Sequence, residues 1–245
     1  MTTHADDLGV NRLGADAPRV GVLPSVWSLD TTLDVVGGLR VDEALPVLDA
    51  AERDRAEQLL KADARHQYVA SHLGLRVLLG AYLGLAPAEV AFIREECPCC
   101  GGPHGRPAVA ADARHDGGSA PHFSLSHSDG LAYLAFARVP VGVDVEAVPG
   151  AAVVAAVLDN LHPAETAELT ALAEPDRPQA LARVWSRKEA CLKATGTGVA
   201  LGLAEPYVGS AATPAPIPGW TLADLPAPPG FAAALALRTA DPTAT

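Results

Sequence analysis

The sequence predicts an α+β protein built from two similar-sized subdomains. Three observations point there. Each half carries one long helix-patterned stretch with several strand-patterned runs. Pro140 punctuates the chain near its middle, and 245 residues leave room for a core in each half. No internal self-similarity is strong enough to prove a duplication. A cleft between the halves is the expected place for a binding site.

Residues 1–18 read as a loose leader ending at Pro18, residues 19–139 as an N-terminal subdomain and residues 140–245 as a C-terminal one. An apolar strand is expected at 20–29 (VGVLPSVWSL). From Asp49 to Leu85 the pattern turns helical in two segments. The second, DARHQYVASHLGLRVLLGAYLG, sets Tyr68, Leu75, Leu79 and Leu83 near one face and stops at Gly84, with Pro87 following. A strand at 89–95 then runs into CPCCGGPHGRP, whose glycines and prolines demand a loop. HFSLSHSDGLAYLAFAR reads as a hairpin turning at Ser-Asp-Gly, and VGVDVEAV as another strand. Helices follow at 163–173 and 177–195, then a Pro-rich region and a final hairpin from WTLADL through FAAALALR.

Composition removes several function classes. Alanine dominates the 49% hydrophobic fraction, and no run reaches the roughly 18 apolar residues of a membrane span. A formal charge of −11 and 4% aromatic residues argue against a nucleic-acid binder, which needs a basic face or stacking rings. The opening MTTHADDLGVNRLG is polar and acidic with no apolar signal core, which predicts a cytoplasmic protein. In that compartment Cys97, Cys99, Cys100 and Cys191 are expected as reduced thiols.

Five stretches carry candidate chemistry. In GVDVE (142–146), Asp144 and Glu146 lie two apart on a strand and so share a face, among valines that mark a buried element. Two such carboxylates repel unless a cation sits between them, and a hard divalent ion such as Mg²⁺ resolves the conflict. An exposed acidic face on an edge strand is the plainer alternative. In WSRKEACLK (185–193), Glu189 falls about 40° from Trp185 and about 60° from Leu192 on a helical wheel, which puts it on the apolar face. Lys188 and Lys193 flank it. The chain has three lysines, the third being Lys61, so two of them here suggest ammonium groups meeting phosphate oxygens. A surface Glu189–Lys193 pair of the i,i+4 kind is the alternative.

FSLSHSDG (123–130) holds Ser126 and His127. Strand neighbours point to opposite faces, so these two do not make a nucleophile–base pair, and no G-x-S-x-G elbow occurs in the chain. Phosphate contacts at the mouth of a tight turn suit them better than hydrolysis, and an ordinary polar turn is the alternative. CPCCGGPHGRP (97–107) offers Cys97, Cys100 and His104 as three zinc ligands where a structural site wants four. The preferred reading is a tight loop presenting Arg106 to an anion. Lys61, Arg65, His66 and Arg76 form a modest cationic group on the N-terminal helices, either a solvated face or a remote phosphate site.

In this order these stretches resemble the 4′-phosphopantetheinyl transferases of the larger, surfactin-synthetase-activating type. The likeness runs through GRP (105–107), FSLSHSDG, GVDVE, HPAETAEL (162–169) and WSRKEACLKATGTG (185–198), and spans residues 43 to 237. The resemblance implies a monomeric pseudodimer of two α+β subdomains with coenzyme A bound between them. It implies transfer of the phosphopantetheine arm of coenzyme A to a serine of an acyl- or peptidyl-carrier protein, with release of 3′,5′-ADP. Asp144, Glu146 and Glu189 would hold Mg²⁺, or Mn²⁺ in its place. Glu189 would also help deprotonate the serine, and Lys193 with Lys188 would balance the phosphate charge. Ser126, His127 and Arg106 match positions that contact the nucleotide's phosphates, and Arg65 and Arg76 match basic helix positions near the coenzyme. His66 and Gln67 stand beside Arg65 where relatives often carry basic residues for the 3′-phosphate. The carrier could serve polyketide, nonribosomal peptide or fatty-acid synthesis; the Ala/Arg-rich, Lys-poor composition leans toward secondary metabolism. A non-catalytic coenzyme A or nucleotide binder on the same scaffold is the competing expectation, and a zinc-stabilised interaction module around residues 97–104 a third.

Overall fold

A computed structural model describes residues 9–110, 120–198 and 202–239. The chain divides into two compact units, both of mixed α+β character. One comprises Val10–Ile93 with Pro107–Arg138, and the other Arg94–Arg106 with the chain from Val139 onward. The segment 94–106 thus belongs with the second unit although it lies far upstream in sequence.

In the first unit a four-stranded sheet runs in the order β1 (Val10–Leu13), β2 (Ser25–Asp30), β8 (Leu131–Ala137), β7 (His122–Ser128). The hairpin expected at Ser-Asp-Gly is present as β7 and β8, and Asp129 and Gly130 turn it with positive φ of 42° and 85°. Strand β2 starts only at Ser25, because Pro24 has no N–H to give to a ladder. Two helices, α1 (Ala50–Gln58) and α2 (Ala62–Leu83), occupy the stretch that the pattern marked as helical. Asp49 caps α1 through the Glu52 amide while the Glu52 carboxylate returns to the Asp49 amide. Gly84, at φ 71°, ends α2 as expected. The apolar face of α2 (Leu73, Leu78, Leu79) packs into one core with Leu29, Phe123 and Leu134. A short hairpin, β3 (Val35–Val36) and β4 (Leu39–Arg40), follows β2 and precedes α1 in the chain. Strands β5 (Phe92–Arg94) and β6 (Pro107–Val109) form a two-stranded ladder that closes the loop 95–106.

The second unit has a three-stranded antiparallel sheet, β10 (Trp220–Leu225), β11 (Phe231–Arg238), β9 (Val141–Ala147). Helices α3 (Ala151–Val157), α4 (Pro163–Ala171) and α5 (Arg177–Thr195) follow β9 in the chain. Helix α5 starts with Pro178 in its first turn and stops at Gly196, φ 76°.

The leader is a correction. Residues 10–13 are not loose: they pair in parallel with β2, and Leu13 is buried beneath α2 against Gly74. The lone apolar Leu13 after polar Asn11 and Arg12 gave too short a pattern to read as a strand. Helix α3 was not expected either, since AAVVAAV has neither helical periodicity nor a polar N-cap. No described helix is long and apolar enough to cross a membrane.

Candidate active site

The second unit sets its acidic strand against α5 by way of a glycine. A Cβ at Gly142 would stand 1.9 Å from the Ala190 carbonyl oxygen and 2.7 Å from the Ala194 amide, so helix backbone rests directly on strand backbone. Opposite Gly142 and Asp144 on β11 lie Ala236 and Ala234, which pack with Ala190, Cys191 and Ala194 of the helix. Small residues on both sides permit this approach. Its result is that side chains one turn apart on α5 reach the carboxylate two residues along β9.

That carboxylate is Asp144, buried in the strand, and Lys193 from the last turn of α5 donates to its Oδ1 at 2.5 Å. Glu189, one turn earlier on the same helix, feels both partners. Burial pushes its carboxyl pKa up, the neighbouring Asp144 charge pushes it further in the same direction, and Lys193 pulls it back. Three charged groups from one strand and one helix are therefore electrostatically coupled. Glu146 follows two residues after Asp144 on the same face, half-buried opposite Ala232. The expected donors are carboxylate oxygens, a type that suits a hard divalent cation. The structure does not draw oxygens of Asp144, Glu146 and Glu189 to within 4.8 Å of one another, so gathering an ion there requires side-chain adjustment.

The other basic residues of WSRKEACLK serve the fold. Arg187 is fully buried, forked onto Asp224 of β10 at 2.7 and 2.5 Å, and donates further to the Gly209 and Ala211 carbonyls. Lys188 is also fully buried; it meets Glu165 of α4 at 2.9 Å and the Pro206 carbonyl at 2.5 Å. The expectation that Lys188 counters phosphate charge is therefore corrected: its ammonium neutralises an internal carboxylate instead. Glu165 is also half of the capping box that starts α4 at His162, and it accepts the Val208 amide. The HPAE stretch thus carries the partner of Lys188, a signal available in the sequence but not read as one.

Arg106 also differs from its expected role. Its Nε and Nη2 bind the two oxygens of Glu95 at 2.7 and 3.2 Å, and Nη1 donates to the Ala194 carbonyl at 3.0 Å. The guanidinium caps the C-terminal end of α5, where carbonyls lack helical partners. Instead of presenting a bare cation, the loop fixes the helix that bears Glu189 and Lys193. All four cysteines of the chain are free thiols.

In the first unit Ser126 and His127 sit side by side on β7, Ser126 buried and His127 exposed, on opposite faces as the strand pattern required. Arg65 is exposed on α2 and donates to the Leu59 carbonyl. His66 meets the Leu33 carbonyl at 3.1 Å. Arg76 is another correction. It is 1% exposed, with its donors committed to Glu52, Asp49 and the carbonyls of Pro87 and Val90, and its guanidinium lies over the Phe92 ring. The coenzyme role is withdrawn for it: the acids that saturate it are the two halves of the α1 capping box, 24 and 27 residues upstream.

Comparison with known proteins fits this geometry. Residues 140–235, which hold Asp144, Glu146, Glu189 and Lys193, match the family model of the 4′-phosphopantetheinyl transferase superfamily. The chain is 30% identical over 164 residues to the 4′-phosphopantetheinyl transferase HetI of Nostoc, covering 66% of this chain and 65% of that protein. It is 24% identical over 163 residues to a 4′-phosphopantetheinyl transferase of Bacillus subtilis, 66% of each chain. The chain is thus similar to 4′-phosphopantetheinyl transferases, and its residues 140–235 match the superfamily they belong to. A Synechocystis relative matches over 182 residues at 25% identity, 74% of this chain and 68% of its own length. The chain thus spans about two thirds of the length of the curated relatives it matches. Within the superfamily match lie β9, α5 and most of the final hairpin, the elements that bring Asp144, Glu189 and Lys193 together.

Proposed function

We propose that the protein moves the 4′-phosphopantetheine arm of coenzyme A onto a serine of an apo acyl- or peptidyl-carrier protein, as the larger, surfactin-synthetase-activating transferases do. The observation that carries this reading is the coupled trio of Asp144, Glu189 and Lys193, all within the residues that match the superfamily. The serine Oγ forms a bond to the pantetheine-side phosphorus of the coenzyme A diphosphate. The bond from that phosphorus to the bridging oxygen breaks, 3′,5′-ADP leaves with the electron pair, and the serine proton goes to Glu189.

Asp144, Glu146 and Glu189 would hold Mg²⁺, whose chemistry is to neutralise diphosphate charge and polarise the attacked phosphorus. Lys193 adds a second positive charge at the same place. Its ammonium already neighbours Asp144, so it can balance either carboxylate or phosphate as charge accumulates. The raised pKa of Glu189 makes it a stronger base than an ordinary surface carboxylate, which is what proton removal from a hydroxyl asks for. Ser126, His127 and Arg65 are the proposed phosphate contacts of the first unit. Arg76 and Lys188 are not among them, and Arg106 acts by fixing α5. We further propose that the protein works as a cytoplasmic monomer, within a pseudodimer plan, on carriers of secondary metabolism.

Intact-mass analysis tests the reading. Incubation with coenzyme A, Mg²⁺ and a panel of apo-carriers drawn from polyketide, nonribosomal peptide and fatty-acid systems should add one phosphopantetheine to at least one carrier. The addition should be lost when Mg²⁺ is chelated. Calorimetric binding of coenzyme A with no mass gain on any carrier would overturn transfer in favour of a binding protein.

A further inference from the structure

Among the described residues, one group of ligand-type side chains draws its donor atoms to within 4.8 Å of one another: Cys97, Cys100 and His104. It plays no part in the proposed transfer. The loop that holds it is tightly made. The Cys97 amide donates to the Gly102 carbonyl at 2.7 Å, the Gly101 amide to the Cys97 carbonyl at 2.8 Å, and the Gly105 amide to the Glu95 carbonyl at 2.9 Å. Gly101 takes a positive φ of 71° directly after Cys100, and a Cβ at Gly105 would collide with the Glu95 carbonyl oxygen at 2.6 Å.

From this convergence we infer a zinc site at Cys97, Cys100 and His104, distinct from the carboxylate site on β9 and α5. Two sulfurs and an imidazole nitrogen are the donors Zn²⁺ selects, and they do not suit Mg²⁺. Cys100 Sγ and His104 Nε2 stand 3.0 Å apart. Tetrahedral bonds of roughly 2.3 Å to sulfur and 2.0 Å to nitrogen put two such ligands about 3.5 Å apart, so the pair must open by about half an ångström to admit the ion. Both side chains are exposed and can make that adjustment, while Cys97 is buried and anchors the site. Three protein ligands leave the fourth position to water. The ion would brace the loop immediately before Arg106, and through it the cap on the C-terminal turn of α5.

The test uses the full chain, reduced and stripped of metal, titrated with Co²⁺ and then Zn²⁺. One equivalent of Co²⁺ should give a near-ultraviolet thiolate-to-metal charge-transfer band with strong visible bands of a tetrahedral site, and Zn²⁺ should abolish both. Saturating Mg²⁺ should leave them untouched. Cys100→Ser, at an exposed position, should keep its far-UV circular dichroism. It should lose more zinc affinity than the roughly 10–100-fold that removing an outer-shell partner costs. His104→Ala should do the same. Cys99→Ser should keep both affinity and band; a band reduced by a third would support the site and assign Cys99 to its fourth position. No thiolate band in the wild type at equal concentrations of Co²⁺ and protein, or wild-type zinc affinity in Cys100→Ser, overturns the inference. Carrier loading is not a readout, so the outcome stands apart from that of the proposed transfer.

Discussion

At the scale of residues, WSRKEACLK divides its charges between two tasks, and substitutions should separate them. Lys193 is partly exposed and Lys188 is not. Replacing Lys193 with alanine should cost about 10²–10³ in turnover, as loss of one preorganised electrostatic contact does, with a smaller loss of stability than at Lys188, because Asp144 is buried but Lys193 itself is partly exposed. Lys188→Ala should do the reverse to stability. It leaves Glu165 buried without its partner cation, a loss of about 3–5 kcal/mol, visible as a large drop in denaturation midpoint. Glu189 offers a sharper test because its pKa is raised. A carboxyl more easily protonated in the fold than in the unfolded chain stabilises the metal-free protein most below pH 4.5. That contribution is lost as pH rises through the raised value. Glu189→Gln should therefore raise the melting temperature of the metal-free protein at neutral pH and flatten its pH dependence, while abolishing transfer. A lower melting temperature in that variant would contradict the balance of charges described for the site.

Between elements, the contact of β9 with α5 is the most sensitive to a single atom. Gly142→Ala places a methyl group against helix backbone, which has no rotamer to move aside. The expected loss is about 3 kcal/mol or more, with reduced turnover in whatever fraction remains folded, measured by denaturant unfolding and carrier loading together. Helix α2 makes a second prediction. Burial pushes the His72 imidazole down to about 4, against the stacked Tyr68 ring and the nearby His127 and Arg76 charges. A base held neutral in this way supports the fold above its ordinary value of 6.5 and withdraws that support as pH falls toward 4, up to about 3 kcal/mol in all. His72→Gln should flatten the acid limb of a stability–pH profile. The elements themselves were largely legible: alternation and glycine or proline stops marked α2, β7, β8, β9, α5 and the last hairpin. The acidic strand and the Glu189 helix were legible as elements bearing a candidate site because spacing fixes which residues share a face. Spacing does not say where a cation finds its counter-charge. Arg76, Arg106 and Lys188 each looked available for phosphate, yet each meets a carboxylate brought near by folding: Glu52, Glu95 and Glu165. Only the α4 and α1 capping boxes hinted at buried acids in need of partners.

For the whole molecule, the net charge of −11 sets the long-range field, and coenzyme A is itself a polyanion. Like charges slow encounter, and salt screens them over about 10 Å at 0.1 M. The value of kcat/KM for coenzyme A should therefore hold steady or rise a few-fold as salt increases from low to physiological strength. A steep fall would reveal a local cationic surface that outweighs the global charge. The topology of the second unit also bears on when such an enzyme first becomes competent. Asp144 lies on a strand whose hydrogen-bonded neighbour is β11, and Arg187 of the neighbouring helix is tied to Asp224 on β10. A nascent polypeptide paused on the ribosome before residues 220–238 have emerged would hold every proposed catalytic group and still lack the ladder that positions them. Competence should switch on late in translation and abruptly, and a frameshift just upstream of Trp220 should be as silent as deleting the acidic strand.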